Sequence, residues 1–285
     1  MSVQELSGVL LPGPAEALAG LLDIAVPDLS NGLPLLWHSI YLLPRTPQAS
    51  LGPDGHPLSG VLPTPPGPGL RRMFAGGRVK TTGQLRVGEP ATRRSQVVRS
   101  VAKTGRSGPL TFVTVVHEIL QGGVVIVSEE QDIVYRPPQQ PEAAGTASPE
   151  RAPVSVGGAS NDVAGRGKEE HSRTVVPTPA LLFRYSALTY NAHRIHYDRD
   201  WAAHEGHAGL VVHGPFQALL MAEHFRSLAS PTGEQRFSYR LLAPLCAPDP
   251  FQVTVHREDG AWRTAVTDVR GVRTATGTLR SPADT

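Results

Sequence analysis

The chain has 285 residues, with 11 His and one Cys, and its 27 Lys and Arg against 25 Asp and Glu leave a formal net charge of +2. That balance gives no electrostatic case for a nucleic-acid partner, because a phosphate reader needs a clustered basic excess, and the lone Cys246 excludes a disulfide framework and a Cys-based zinc knuckle. No stretch reaches the roughly 18 consecutive apolar residues of a membrane helix, and the first basic residue is Arg45, so neither signal nor transit peptide is expected and the default compartment is cytoplasmic.

In chain order, Pro14–Ile24 is an apolar helical stretch. Thr92–Lys103, Leu110–Gln121 and Val124–Tyr135 read as three long strands, separated by turns at Gly105 to Gly108 and at Gly122-Gly123. Gly and Pro make up roughly a fifth of the chain, against about 12% on average, and much of the excess falls between Pro137 and Thr178. This Pro/Ala/Gly/Ser-rich run has no aromatic residue and no apolar period, so it cannot bury enough surface to offset its ordering entropy. It is expected to be a flexible linker, 137–178, between globular halves 1–136 and 179–285.

The second half opens with Leu181–Thr189, a short β-like segment, followed by a polar, His-rich loop. A helix is expected over Pro215–Ser227, with Gly214 at the N-cap and Pro215 at the first helical position, where its missing N–H costs nothing. Strands follow at Arg236–Leu242, Phe251–Arg257, Trp262–Val269 and Val272–Leu279, with Asp259-Gly260 and Arg270-Gly271 as turn signals. A helix followed by an antiparallel meander, twice over, suggests a duplicated α+β unit in which each curved sheet wraps one helix. That is a double hot-dog. Two such halves could stand alone as a pseudo-dimer or pair again as a homodimer.

The histidines are lopsided. His193, His196, His204, His207, His213 and His224 fall in one stretch before and within the second helix, and the matching stretch of the first half has nothing comparable. One reading is a solvated polar surface. A second is metal, but His193-x2-His196 and His204-x2-His207 lack the i, i+4 helical spacing of paired ligands and Cys246 is remote, so no metal is expected. The third is acid/base chemistry beside a helix start, where Gly214 lets a ligand approach free N–H groups that can hold a developing oxyanion.

The run Phe183-Arg184-Tyr185-Ser186-Ala187-Leu188-Thr189-Tyr190-Asn191-Ala192-His193-Arg194-Ile195-His196-Tyr197-Asp198 resembles the active-site segment of the MaoC-like hydratases. Within that family it is most similar to the branch of mesaconyl/3-methylfumaryl-CoA hydratases and mitochondrial-type 3-hydroxyacyl-thioester dehydratases. The run from Gly209 through His213-Gly214-Pro215-Phe216 to Leu220 resembles that branch's start of the hot-dog helix. Leu36-Trp37-His38, Ala75-Gly76-Gly77-Arg78, Lys103-Thr104-Gly105 and Val116-His117-Glu118 resemble its catalytically empty, dehydratase-like N-terminal domain.

The resemblance implies a hydro-lyase that adds water reversibly across the α,β-double bond of an acyl thioester, with acyl-CoA as partner and no cofactor. The wider family uses Asp-x-Asn-Pro-x-His, and aligned on its His this chain reads Asn191-Ala192-His193-Arg194-Ile195-His196. The carboxylate position is therefore Asn191, which cannot act as a base. By this resemblance His196 carries the proton both ways, Asn191 orients the water, and Gly214 with Phe216 supplies the oxyanion donors. Arg194 or Arg184 could meet a substrate carboxylate or the nucleotide phosphates, although an Arg paired with Asp198 or Asp200 is an equal reading. Tyr190 is expected to wall the pocket, His213 to pack under the loop or act directly, and Asp198 to orient His196. A 3-hydroxyacyl-carrier-protein dehydratase, a hot-dog thioesterase and a non-catalytic acyl-CoA-binding module remain open.

Overall fold

The computed structural model describes residues 3–61, 70–105, 108–137, 170–229 and 233–281. Most of the expected linker lies outside the described residues. The first half carries β1 (Gln4–Val9), α1 (Pro12–Leu22), β2 (Arg71–Thr81), β3 (Pro90–Gly105), β4 (Gly108–Gln121) and β5 (Val124–Arg136). The second carries β6 (Glu170–Val175), α2 (Pro179–Leu188), α3 (Arg199–His204), α4 (Gly214–Leu228), β7 (Gln235–Leu241), β8 (Phe251–Glu258), β9 (Ala261–Asp268) and β10 (Arg273–Arg280).

All ten strands form one antiparallel sheet in the order β1-β3-β4-β5-β2-β7-β10-β9-β8-β6. Each half therefore repeats the same internal order, and the copies join where β2 pairs with β7 from Gly76–Arg240 to Thr81–Gln235. The duplication read from the sequence is thus a duplication of topology. Period-2 burial builds it: in β4, Val113, Val115, His117 and Ile119 are buried while their neighbours are not. The junction needs its glycines, since a Cβ on Gly76 would lie 2.4 Å from the Tyr239 carbonyl oxygen and one on Gly77 2.7 Å from the Tyr239 hydroxyl.

The second half wraps its sheet around α4, which packs on β8, β9, β10 and β2. Ten consecutive residues of this helix, Phe216 to Phe225, are buried, as befits a helix enclosed on every side. Its polar members are satisfied: Gln217 Oε1 accepts from the Thr274 hydroxyl (2.8 Å), and Glu223 accepts from the Trp37 indole N–H (2.8 Å) and from Arg226.

The two halves are not equal in helix content. Between α1 and β2, where the second half places α4, the described residues of the first half contain only 3-10 turns. Leu35, Leu36, Trp37, Ile40 and Tyr41 fill the core there instead. Helix α1 packs on α2. No described helix is long and apolar enough to cross a membrane.

Three expectations are corrected. Leu181–Thr189 is helical, because Thr178 caps the Leu181 N–H (3.1 Å), Pro179 opens the helix, and Leu182, Tyr185 and Ser186 are buried at the spacing of one helical face. Helix α4 begins one residue early, with His213 as N-cap and Gly214 as first residue. Residues 170–175, expected within the linker, are a strand: His171, Arg173 and Val175 alternate with more exposed neighbours in an edge strand paired to β8, and a largely polar edge strand carries little apolar signal.

Candidate active site

Segments from both halves meet beside the start of α4. After α2, Tyr190 takes a left-handed backbone (φ 52°), and the chain turns through Asn191 into a 3-10 turn, Arg194–His196. Asn191 fixes this loop. Its Oδ1 accepts the His193 N–H (3.0 Å), and its own N–H donates to the Ser186 carbonyl (2.8 Å).

His196 is buried, and its Nδ1 lies 2.7 Å from the Val211 carbonyl oxygen. A carbonyl only accepts, so Nδ1 holds the hydrogen and Nε2 of the neutral ring presents the lone pair. Burial outweighs that hydrogen bond and pulls the His196 pKa down to about 3, so the ring is neutral near pH 7. His213, fully buried, stacks on it with centroids 3.6 Å apart and bonds Ser186 Oγ through Nε2 (2.8 Å). Burial also drives the His213 pKa well below its ordinary value. His213 therefore packs against His196, and its own Nδ1 is buried without a hydrogen-bond partner among the described residues.

The helix start differs from the expected donor pair. Both Phe216 and Gln217 direct their N–H groups to the His213 carbonyl (3.1 Å each), because His213 is the N-cap and its carbonyl opens the helical ladder. Phe216 is thus no oxyanion donor, and its side chain is core. Pro215 has no N–H. The Gly214 N–H has no acceptor among the described residues and is the remaining donor.

The first half reaches the same place with residues 51–57, Leu51-Gly52-Pro53-Asp54-Gly55-His56-Pro57. Asp54 accepts the His56 N–H at Oδ1 and the His56 ring Nδ1 at Oδ2, both at 2.9 Å. The His56 ring lies 3.9 Å from that of His193, which in turn stands edge-on to His196 at 5.5 Å. The Arg194 N–H donates to the Asp54 carbonyl (2.9 Å). Gly55, at φ 86°, lies so close to Ala192 that a Cβ there would sit 1.8 Å from the Ala192 carbonyl oxygen. Burial lowers the His56 pKa to about 4 in spite of Asp54, with the charges of His193 and Arg72 adding to the shift. Against the cost of its own burial, the two hydrogen bonds from His56 hold the Asp54 carboxyl well below its usual range. On the far side, Glu205 Oε1 lies 3.7 Å from His193 Nε2 and accepts the Trp201 indole N–H (2.7 Å).

Other expected site residues are engaged elsewhere. Arg194 bonds Asp198 through Nε and Nη2 (3.0 and 2.7 Å), bonds the Pro53 carbonyl, and covers the Trp201 ring at 4.1 Å, so it has no free fork for a carboxylate. Asp198 is used by Arg194 and as the cap of α3, and does not orient His196. Arg184 is exposed on α2, with its guanidinium beside Gly20 of α1. Tyr190 is 59% exposed and has a left-handed backbone. Asp54, His56 and Glu205 are residues that the sequence pattern leaves unmarked. The one signal for the first two is a Pro-Asp-Gly-His-Pro turn that places an acid and a base two residues apart.

Asp54, His56 and His193 also bring three potential metal-ligand atoms within 4.8 Å of one another. The Asp54–His56 hydrogen bond, which engages the Nδ1 of a ring tilted 37° against His193, suits a braced imidazole better than a shared ion, whose ligands point their in-plane lone pairs at one centre. The arrangement offers two neutral imidazoles, His196 and His56, each with Nδ1 bonded to an oxygen acceptor, beside an unpaired helix N–H. Such a set can move a proton and hold a developing negative charge.

The model of the family described as "Hydroxyacyl-thioester dehydratase type 2" matches residues 36–247. The chain is 48% identical over 229 residues to mesaconyl-C(4)-CoA hydratase of Chloroflexus aurantiacus, covering 80% of this chain and 76% of the relative. Over 96 residues it is 36% identical to the mitochondrial hydroxyacyl-thioester dehydratase type 2 of Schizosaccharomyces pombe, covering 33% of this chain and 32% of that one. Among solved structures, HtdX of Mycobacterium tuberculosis aligns over 98% of this chain and 100% of its own, with TM-score 0.67 at 18% identity. A second M. tuberculosis protein, described as a double hot-dog, aligns over 98% of this chain and 94% of its own, with TM-score 0.57 at 15% identity. These two support the fold, and the sequence relatives support the chemistry. The chain belongs to the type 2 hydroxyacyl-thioester dehydratase family and is a hydro-lyase of acyl thioesters.

Proposed function

We propose that the chain hydrates an α,β-unsaturated acyl-CoA whose short acyl group carries a second carboxylate, of the mesaconyl type, and catalyses the reverse dehydration. The name and 48% identity of the Chloroflexus relative support this substrate class. The observation that carries the mechanism is the Nδ1 contact of buried His196 with the Val211 carbonyl, which leaves Nε2 as a lone-pair base.

In hydration, His196 Nε2 takes one proton from water as the water oxygen bonds Cβ. The π pair moves through Cα to the thioester oxygen, which the Gly214 N–H receives. The enolate then collapses and Cα takes the proton from the His196 imidazolium, so one water has been added and the enzyme is restored. Every step uses side-chain or main-chain groups of this chain, and no cofactor is proposed. Asn191 acts on the loop: its oxygen accepts the His193 N–H. Because residues 54–56 of the first half reach the site, one chain holds both halves of it, and pairing into a homodimer is not needed to complete it.

Purified protein tested with mesaconyl-C4-CoA, crotonyl-CoA and a medium-chain 3-hydroxyacyl thioester decides the matter. The expected result is loss of enoyl-thioester absorbance, fastest with the dicarboxylic substrate. A preference for the medium-chain substrate supports instead a 3-hydroxyacyl-thioester dehydratase, the activity for which the S. pombe relative is named. Release of free thiol without an absorbance change overturns hydration in favour of hydrolysis.

A further inference from the structure

The catalytic loop lacks a carboxylate where the reaction needs a second acceptor for the attacking water. A water molecule that gives one proton to His196 still has a second O–H to place. If that O–H is not held, the oxygen lone pair is not aimed at Cβ. Asn191 is a weaker holder, since one of the two lone pairs of its only acceptor atom is engaged by the His193 N–H at 3.0 Å.

The first half brings a replacement. His56 is held at two points by Asp54, through its own N–H and through ring Nδ1, both at 2.9 Å. A carboxylate accepts, so Nδ1 holds the hydrogen and Nε2 carries the lone pair, the same tautomer that the Val211 carbonyl imposes on His196. The ring packs on His193, which is in edge contact with His196. Main-chain contacts lock the two loops together: the Arg194 N–H is bonded to the Asp54 carbonyl (2.9 Å), and Gly55 lies directly against Ala192. His56 is thereby fixed relative to the loop that carries His196.

We propose that His56, braced by Asp54, is a further catalytic residue of this hydratase: its Nε2 accepts the second O–H of the attacking water and orients it toward Cβ. The half of the chain that resembles an empty domain then supplies one of the two groups that hold the nucleophile. His56 gains and loses no proton. His196 takes and returns the transferred proton, and the atoms balance as in the single-base scheme. The assignment rests on the hydration reaction proposed above.

The test compares His56→Leu, which keeps bulk without an acceptor, with His56→Gln, whose amide oxygen can accept. Steady-state hydration of the best enoyl-CoA substrate is measured alongside melting temperature. The expected result for His56→Leu is a fall in kcat of at least 100-fold with KM within 3-fold, in line with the roughly 10²-fold cost of misplacing a reacting atom. His56→Gln is expected to recover at least 10-fold of that loss. Asp54→Asn, which loosens the brace, is expected to lower kcat about 10-fold, and it decides the matter if His56→Leu does not fold. A folded His56→Leu with more than a third of wild-type kcat overturns the assignment, as does equal loss in the Leu and Gln variants. Wild-type protein that hydrates no enoyl-CoA overturns the proposed function, and with it this role.

Discussion

Trp37 donates its indole N–H to Glu223 at 2.8 Å, joining residues 186 positions apart and tying the first half's core to the central helix of the second. Trp37 is fully buried and Glu223 nearly so. Glu223 is a carboxyl group inside the core, tolerable because Trp37 and Arg226 together bond both its oxygens. Trp37→Phe keeps most of the ring and removes the donor. The cost is the lost hydrogen bond to a buried carboxylate, about 1–3 kcal/mol. Urea denaturation is expected to show that loss, while kcat at 25 °C stays near wild type because the pair lies outside the histidine cluster.

His196→Gln tests the base directly. The amide retains a similar length and can still meet the Val211 carbonyl through its NH2, but it cannot take a proton from water. Hydration is expected to fall about 10³-fold, within the usual range for removing a general base. An unchanged melting temperature shows that the loss is chemical. Residual activity within 10-fold of wild type would place the base elsewhere in the cluster.

Acid destabilisation follows from the buried imidazoles. His56, His117 and His196 have folded pKa values lowered to about 4, 3 and 3, chiefly by burial, against about 6.5 when unfolded. Between these limits the unfolded chain binds protons that the folded chain refuses, so stability is full above the unfolded value and falls as pH drops below it. Each histidine contributes roughly 1 kcal/mol of loss per pH unit in that window. Unfolding free energy measured at pH 7.5 and pH 5.5 is expected to differ by a few kcal/mol. A stability that holds constant down to pH 5 would mean that these rings are solvated or already protonated in the folded state.

The strands of both meanders and helix α4 were legible because burial there has a clean period: alternate residues in β4, and a long apolar run in α4. Strands β1, β2 and β6 are not: β1 and β6 are edge strands half in water with polar residues on both faces, and β2 is broken by Gly76-Gly77. Helix α2 reads as a strand in the sequence because Leu181-Leu182-Phe183 is an apolar run too short for periodicity to decide. In the site, His196, Asn191 and Gly214 came from a local motif. Asp54 and His56 come from 140 residues away and are joined to His193 only by folding, so no local spacing could reveal them. The arginines failed for the opposite reason: Arg194 has acids within reach in sequence, and one of them, Asp198, takes it.

Gly55 offers a test of that long-range join that leaves every titratable group in place. Its φ of 86° disfavours any side chain, and a Cβ there would lie 1.8 Å from the Ala192 carbonyl oxygen and 2.7 Å from the Ala192 carbonyl carbon. Both neighbours are backbone, so they cannot swing aside as a side-chain tip would. In Gly55→Ala the two loops must separate, and the Arg194 N–H loses its bond to the Asp54 carbonyl. The sheet junction and α4 do not depend on this contact. Circular dichroism is therefore expected to stay near wild type, and stability to fall by only about 1–3 kcal/mol. The hydration kcat is expected to fall at least 10-fold, because the imidazoles of the two halves no longer share a fixed geometry. A Gly55→Ala protein with full activity would show that the catalytic loop holds its shape without the first half.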